Sequence, residues 1–395
     1  MADSRPLVIG IVAGEQSGEN LAVDLVDAIS ARTGSRPRLV GVGGDRLRAL
    51  GLESVFDASE IAITGVSGVL ATLPRLLVRI RQTASALIAA KPDAIVMIDS
   101  PDFSHRVAKR VKKALPATPI IKYVAPTVWA WRPGRARVMA EHIDHVLAIL
   151  PFEPDVMEKL GGPQTHYVGH PLAVDTDLAA IWSARRKKAA AGEKESFDLL
   201  VLPGSRAAEV RALLTDFEKA VATLYERGHR FRVLMPTLPR LADTLKRETA
   251  GWRVGPLITS SHEDKIAAFR TADAALAASG TVLLELALAG IPAISCYRVD
   301  PFMRLAASMI TIWSAALPNI IADRPIIPEY IDYLIRPGML ARRVEELVTP
   351  KSKAAALQID GFRTVRDLMA VEESPGARAA GIVLDAISNG SGARQ

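Results

Sequence analysis

The feature that most constrains this chain is an alternation of two kinds of block. Short apolar runs rich in β-branched residues lie between longer stretches whose apolar residues recur at three- and four-residue spacing. In the first half the strand-like runs fall at 7–12, 38–42, 94–98, 120–124, 146–149 and 166–168, with helix-like stretches at 18–31, 73–90 and 104–114. After Pro171 the pattern restarts, with strands at 199–202, 232–235, 274–277 and 293–296 and helices at 207–227 and 281–289. Strands buried on both faces read as continuous apolar runs, and parallel pairing needs a crossover long enough to hold a helix. The expected class is α/β, with two doubly wound sheets facing across a cleft, where such sheets bind ligands beyond their strand C-termini.

Length and composition suit that reading. The 395 residues suffice for two or three domains, and 49% hydrophobic with 23% charged residues excludes a disordered chain. A single cysteine, Cys296, permits no internal disulfide and no cysteine-based metal site, so a reducing compartment is expected. The net charge of +6 calls for an anionic partner. Residues 1–6 carry no apolar leader, and the uncharged runs at 61–74, 274–284 and 286–297 are shorter than the ~20 residues of a membrane span. The domains are placed at 1–172 and 197–349. A linker is expected at 173–196, which holds the basic run 185–188 and the hinge-like Ala191-Gly192-Glu193, and C-terminal helices at 350–395 end in a frayed tail from 388.

Glycine turns at strand ends carry the chemistry. The first strand runs into Ala13-Gly14-Glu15-Gln16-Ser17-Gly18-Glu19-Asn20. Free N–H groups at a helix start make an anion or hydroxyl site. The same turn is equally an ordinary one capped by Glu15 or Ser17. In the second half, Leu202-Pro203-Gly204-Ser205-Arg206 and Ala278-Ser279-Gly280-Thr281 form two such turns, a cradle for a diphosphate that Arg206 can grip. Glu285, one helical turn past Thr281, is placed to accept hydrogen bonds from a ribose diol. Asp99, at the end of the apolar run 94–98, is the candidate general base, and Asp102 is assigned to capping the following helix.

Tyr123-Val124-Ala125-Pro126-Thr127-Val128-Trp129-Ala130-Trp131-Arg132 presents Trp129 and Trp131 on a loop after a strand, or else packs them in the core. The seven histidines lack metal-ligand spacing: His166 and His170 flank a strand end, and His142 and His145 find no third ligand. Asp175-Thr176-Asp177 reads as helix capping rather than a metal motif. Val66, Val69, Leu70, Leu73, Leu76 and Leu77, with Arg75, Arg79 and Arg81, describe an amphipathic helix that either faces the core or lies on an anionic bilayer, the second being favoured by the net positive charge.

Taken in order, Gly14–Gly18, 41–44, 98–103, 126–131, 150–153, 167–172, 202–206, 278–285 and Leu317-Pro318-Asn319-Ile320-Ile321 resemble the lipid-A-disaccharide synthase family over about residues 7–380. The chain departs from the family pattern at Glu19-Asn20, where an aspartate and a small residue are usual. The resemblance implies a GT-B architecture of two Rossmann-like domains, with the C-terminal helix returning to the first. It implies an inverting glycosyltransferase that joins UDP-2,3-diacylglucosamine to 2,3-diacylglucosamine 1-phosphate (lipid X) and releases UDP without a metal cofactor. The first domain would hold the acceptor, at Glu15, Ser17, Trp129 and Trp131, with Asp99 as base. The second would hold the nucleotide, at Arg206, Ser279, Gly280, Thr281, Glu285 and Asn319. A peripheral place on the cytoplasmic face of the inner membrane follows, with a homodimer left open. Other UDP-sugar GT-B enzymes, such as a UDP-GlcNAc 2-epimerase or a muramyl-type transferase, share the architecture. A nucleic-acid role is disfavoured, because the Lys and Arg residues are dispersed.

Overall fold

The computed structural model describes residues 5–61, 66–188, 196–299 and 311–392, without the side chains of 66–73, 187, 188, 391 and 392. It divides into two compact units, Met1–Pro171 with Val371–Gln395 and Leu172–Ala370.

The first unit is built on seven strands: β1 (Val8–Ala13), β2 (Arg38–Val42), β3 (Glu53–Ser54), β4 (Ala94–Ile98), β5 (Ile120–Tyr123), β6 (His145–Ala148) and β7 (Gln164–Tyr167). All pair in parallel, in the order β3-β2-β1-β4-β5-β6-β7. Every residue of β1 and β4 is buried, as the unbroken apolar runs require. The crossovers include α1 (Gln16–Thr33), α2 (Asp45–Ala49), α3 (Val66–Ala90), α4 (Pro101–Ala114), α5 (Arg135–Met139) and α6 (Glu153–Lys159). One sheet face packs with residues of α3 and α4, among them Ile80, Leu87, Val107 and Val111. The other packs with Leu25, Val26 and Ile29 of α1.

The second unit has six parallel strands: β8 (Phe197–Leu202), β9 (Phe231–Pro236), β10 (Leu257–Thr259), β11 (Ala274–Ala278), β12 (Ala293–Tyr297) and β13 (Glu329–Ile331). Their order is β10-β9-β8-β11-β12-β13. Its helices are α7 (Thr176–Lys188), α8 (Ala207–Glu226), α9 (Pro239–Glu248), α10 (His262–Thr271), α11 (Thr281–Ala289), α12 (Leu317–Ile321), α13 (Pro337–Val348) and α14 (Lys353–Met369). The chain then crosses back, and α15 (Pro375–Gly392) packs Ala379, Ala380 and Val383 into the α1 face of the first unit.

Two boundaries differ from the sequence reading. Most of the expected linker 173–196 is α7, an integral helix of the second unit. Ile181 and Trp182 are buried, Arg185 donates to the carbonyl of Gly290 at 2.8 Å, and Asp175 caps the helix through Leu178 N at 2.9 Å. The hinge-like Ala191-Gly192-Glu193 lies outside the described residues. Of the C-terminal helices, α14 stays with the second unit, where Gln358 bonds both the N–H (2.8 Å) and the carbonyl (3.0 Å) of Ala293. Only α15 returns, and it continues to Gly392, within the stretch from 388 read as frayed.

The α15 return depends on close approach. A Cβ on Gly376 would lie 2.8 Å from the Asp24 carbonyl oxygen of α1, a backbone atom that cannot swing aside. Gly376→Leu is expected to overpack this contact and destabilise the first unit by about 1–3 kcal/mol. The check is a lowered midpoint in chemical unfolding, and an unchanged midpoint would mean that α15 is not clamped there.

Candidate functional site

In each sheet the strand order reverses once, at β1/β4 in the first unit and at β8/β11 in the second. Crevices beyond the strand C-termini at such reversals are where open α/β sheets bind ligands. The turns singled out in the sequence end these four strands.

In the first unit β4 delivers Asp99 and Ser100, both in the left-handed region (φ 54° and 41°), so the chain bends sharply before α4. The Asp99 carbonyl accepts hydrogen bonds from Ser104 Oγ at 2.9 Å and from the Lys122 ammonium of β5. The turn sets the half-buried carboxylate against the first turn of α1, where any side chain at Gly18 would run into Asp99 Oδ2. That oxygen is buried and has no hydrogen-bond partner among the described residues. Burial raises the carboxyl above its ordinary range, the Lys122 charge opposes that, and Glu15 adds to it. Lys122 is itself wholly buried, which lowers its ammonium to about 8.

Glu15 and Ser17 are exposed, and Glu15, at the N-cap of α1, makes no side-chain capping bond. The simple capped turn is therefore not what forms. The departure at Glu19-Asn20 has a structural use. Glu19 is buried and accepts from Leu47 N at 3.0 Å, capping α2, while Asn20 accepts from Arg46. Asp102 does not cap α4, whose N-cap is Ser100; it pairs with Arg135 instead.

The aromatic loop after β5 is anchored rather than loose. Trp129 donates through Nε1 to Glu153 at 3.2 Å and meets Phe152 edge-on at 5.2 Å. Glu153 also accepts from Leu150 N at 3.0 Å, and burial pushes its carboxyl up to about 7. Trp131 carries the Arg132 guanidinium over its ring at 4.2 Å. Four of the histidines pair with each other, His105 with His142 at 3.2 Å and His145 with His166 at 3.3 Å; His229 and His262 meet the carboxylates of Glu345 and Asp177, and His170 is buried.

On α3, Leu76 packs against the core whereas Leu77 and neighbouring Val78 are exposed. Arg75 and Arg79 are both ion-paired with Glu60, at 2.8 and 2.7 Å, with Arg79 the more buried of the two. The side chains of Val66, Val69, Leu70 and Leu73 lie outside the described residues.

In the second unit the two glycine turns end the adjacent strands β8 and β11. The first turn is occupied from within: Glu209 accepts from Ser205 N (3.0 Å), Arg206 N (3.2 Å) and the Arg206 guanidinium (2.9 Å). Arg206 is nevertheless 71% exposed. In the second turn Gly280 and Thr281 are exposed, and Ser279 Oγ donates to the Ala315 carbonyl at 2.9 Å. Glu285 is ion-paired with Lys265 of α10 at 2.6 Å rather than standing free.

Asn319 corrects the sequence reading. It is 1% exposed, and its amide is fully used: Nδ2 donates to Ile327 O (2.9 Å) and Glu329 (3.2 Å), and Oδ1 accepts from Ile326 N (2.9 Å) and Ile327 N (2.8 Å). It latches the segment before β13 and has nothing left for a ligand. Glu329, which also accepts from Ala315 N at 2.9 Å, joins this latch to the backbone that holds Ser279.

Sequence reasoning missed Lys122, Glu209, Glu329 and the need for glycine at position 18. A lysine inside the otherwise apolar run Ile120-Ile121-Lys122-Tyr123 was the one available signal.

Known proteins resemble this chain over nearly all of its length. A family model described as lipid-A-disaccharide synthetase matches residues 9–380. The chain is 42% identical over 385 residues to the lipid-A-disaccharide synthase of Rhodopseudomonas palustris (strain ATCC BAA-98 / CGA009), covering 96% of each. It is 42% identical over 386 residues to that of Rhodospirillum centenum, covering 97% of this chain and 96% of the relative. Among solved structures, MurG of Acinetobacter baumannii superposes with a TM-score of 0.59 at 16% identity, over 98% of this chain and 100% of that one. UDP-GlcNAc 2-epimerase of Methanocaldococcus jannaschii, solved with UDP-GlcNAc and UDP, gives 0.52 at 14%, over 92% and 99%. At such identities these two speak for the fold alone, GT-B with two Rossmann-like units.

The latch has a stability consequence. Asn319→Ala strands the Ile326 and Ile327 N–H groups, at a cost of about 1–3 kcal/mol each where they stay buried. A clear fall in the thermal midpoint is expected, and an unaltered midpoint would return Asn319 to the list of ligand contacts.

Proposed function

The chain belongs to the lipid-A-disaccharide synthase family, and from that premise we propose how its residues perform the transfer. It is a glycosyltransferase of lipid A biosynthesis, acting on a UDP-sugar and an acceptor of the lipid X type. The donor is UDP-2,3-diacylglucosamine and the acceptor 2,3-diacylglucosamine 1-phosphate, taken by the second and first units respectively.

The observation that carries the mechanism is the half-buried Asp99 carboxylate at the sheet's reversal point, whose buried Oδ2 has no hydrogen-bond partner among the described residues. It accepts the proton of the acceptor 6-hydroxyl as that oxygen bonds to the donor's anomeric carbon. The bond to the diphosphate breaks on the opposite face, UDP departs with the electron pair, and the centre inverts from α to β. A positioned base contributes about 10²–10⁴-fold, so leaving-group stabilisation must add to it. Exposed Arg206 and the open Gly280–Thr281 turn at the start of α11 suit that role, with Glu209 giving way to the diphosphate. A guanidinium beside a helix N-terminus neutralises the developing charge without a metal ion, so turnover is expected to survive EDTA. Glu15, Ser17 and the anchored Trp129–Trp131 loop line the acceptor side.

No helix among the described residues is long and apolar enough to cross a membrane. The enzyme works at the cytoplasmic face of the inner membrane, where its acylated substrates reside, with exposed Leu77 and Val78 of α3 entering the lipid.

Asp99→Asn is expected to lower kcat by about 10²–10⁴-fold while leaving UDP binding, read by calorimetry, close to that of the parent. Near-parental turnover would remove Asp99 from the base role. Because burial raises its pKa and the base must be ionised, the acid limb of kcat/KM should lie above the ordinary carboxylate value of 3.8, with activity lost as pH falls through it. Leu77→Glu with Val78→Glu should weaken cosedimentation with anionic vesicles, and undiminished binding would place the membrane contact elsewhere.

A further inference from the structure

The reaction as assigned uses Asp99 but not the cation beside it. Lys122 sits in the middle of β5, paired with β4 through Met97, and is 1% exposed. By strand period it shares the sheet face of Ile120, which is packed with α3 and α4. An ammonium in such a place is costly and persists only where something compensates it. Among the described residues its one hydrogen-bond partner is the carbonyl of Asp99. That carbonyl belongs to a turn of two successive left-handed residues, neither of them glycine, a conformation that survives only when its surroundings impose it. Ser104 Oγ is the carbonyl's second donor, at 2.9 Å, but brings no charge.

Resting on Asp99 as the base, we infer that Lys122 is a positioning residue for the transfer: its buried ammonium clamps the Asp99–Ser100 turn and holds the adjacent carboxylate in the ionised form that can take the acceptor's proton. The charged and titratable groups around it agree with this division of labour. Glu15, from the β1–α1 turn, works against ionisation of Asp99, so it cannot supply the stabilising charge. His105 of α4 is pushed down to about 4, first by burial and then by Lys122 itself, with His142, Arg135 and Asp102 as its further neighbours, so it is neutral near pH 7. Lys122 is left as the cation that offsets the desolvation of Asp99.

The test is the pH profile of kcat/KM in the full-length enzyme. Lys122→Gln keeps a donor for the Asp99 carbonyl but loses the charge. Lys122→Met, the second variant, keeps the chain length and loses both. Lys122→Arg keeps the charge. An opposite charge at close range lowers a carboxyl pKa by about 1–3 units, so Gln and Met should each move the acid limb upward by about one pH unit or more. Arg should hold the limb near its parental midpoint even where kcat falls. A role in folding alone would lower the thermal midpoint and leave the limb in place. An acid limb that coincides with the parent's in either neutral variant, or one that Arg shifts as far as Gln does, overturns the inference. Asp99→Asn keeps this failure separate from that of the base assignment. If Asp99→Asn is inactive while the limb ignores Lys122, only the positioning role falls; if Asp99→Asn is active, the base assignment falls with it.

Discussion

A right-handed crossover from one parallel strand to the next can extend a sheet in only one direction for a given face. To cover both faces, each sheet here must reverse its strand order once, at β1/β4 and at β8/β11. Everything the protein can do with a ligand follows from those two reversals. There, neighbouring strands send their helices to opposite faces, and the turns beyond their C-termini are left open between them. Five of the turns noted in the sequence, those after β1, β4, β5, β8 and β11, end strands at or beside these points.

Geometry alone does not make such a turn reactive. At β4 the strand ends in two left-handed residues, which take Asp99 off the strand and against α1. Burial then favours the neutral acid, and a cation in the next strand opposes it. The acid would otherwise be at odds with its own task, since a base must be ionised and yet sit where water does not occupy its lone pairs. In the second unit an acidic residue plays a different part. Glu209 accepts from the N–H groups of the first glycine turn, so their donors are satisfied from within the unit.

Other polar residues that looked like ligand contacts serve the frame. Buried Asn319 and half-buried Glu329 form a latch that ends on the backbone holding Ser279. Glu153, through Trp129, fixes the aromatic loop after β5. A buried amide or carboxylate must meet its hydrogen-bonding needs inside the protein, and here those needs set the positions of the loops that carry the exposed groups.

What the sequence determined by itself is the class, the strand-to-helix rhythm and the chemistry-bearing turns, because these rest on local regularities. Unbroken apolar runs as short as 94–98, flanked by charged residues, read as parallel strands buried on both faces, and the glycines at their ends read as turns. It missed short edge strands such as β3, β10 and β13, whose few residues carry too little periodicity. It also took α7 for a linker, because a charged helix with one buried edge looks solvated until its partner is known. Only the tertiary structure decided which polar groups are spent and which are free. Asn319 and Trp129 are consumed by partners distant along the chain or across a loop, Arg206 stays exposed although paired with Glu209, Oδ2 of Asp99 is buried without a partner among the described residues, and Lys122 donates to the carbonyl of the turn it holds. Those outcomes depend on contacts between residues far apart in the chain, such as 99 with 122 or 18 with 99, and no local pattern encodes them.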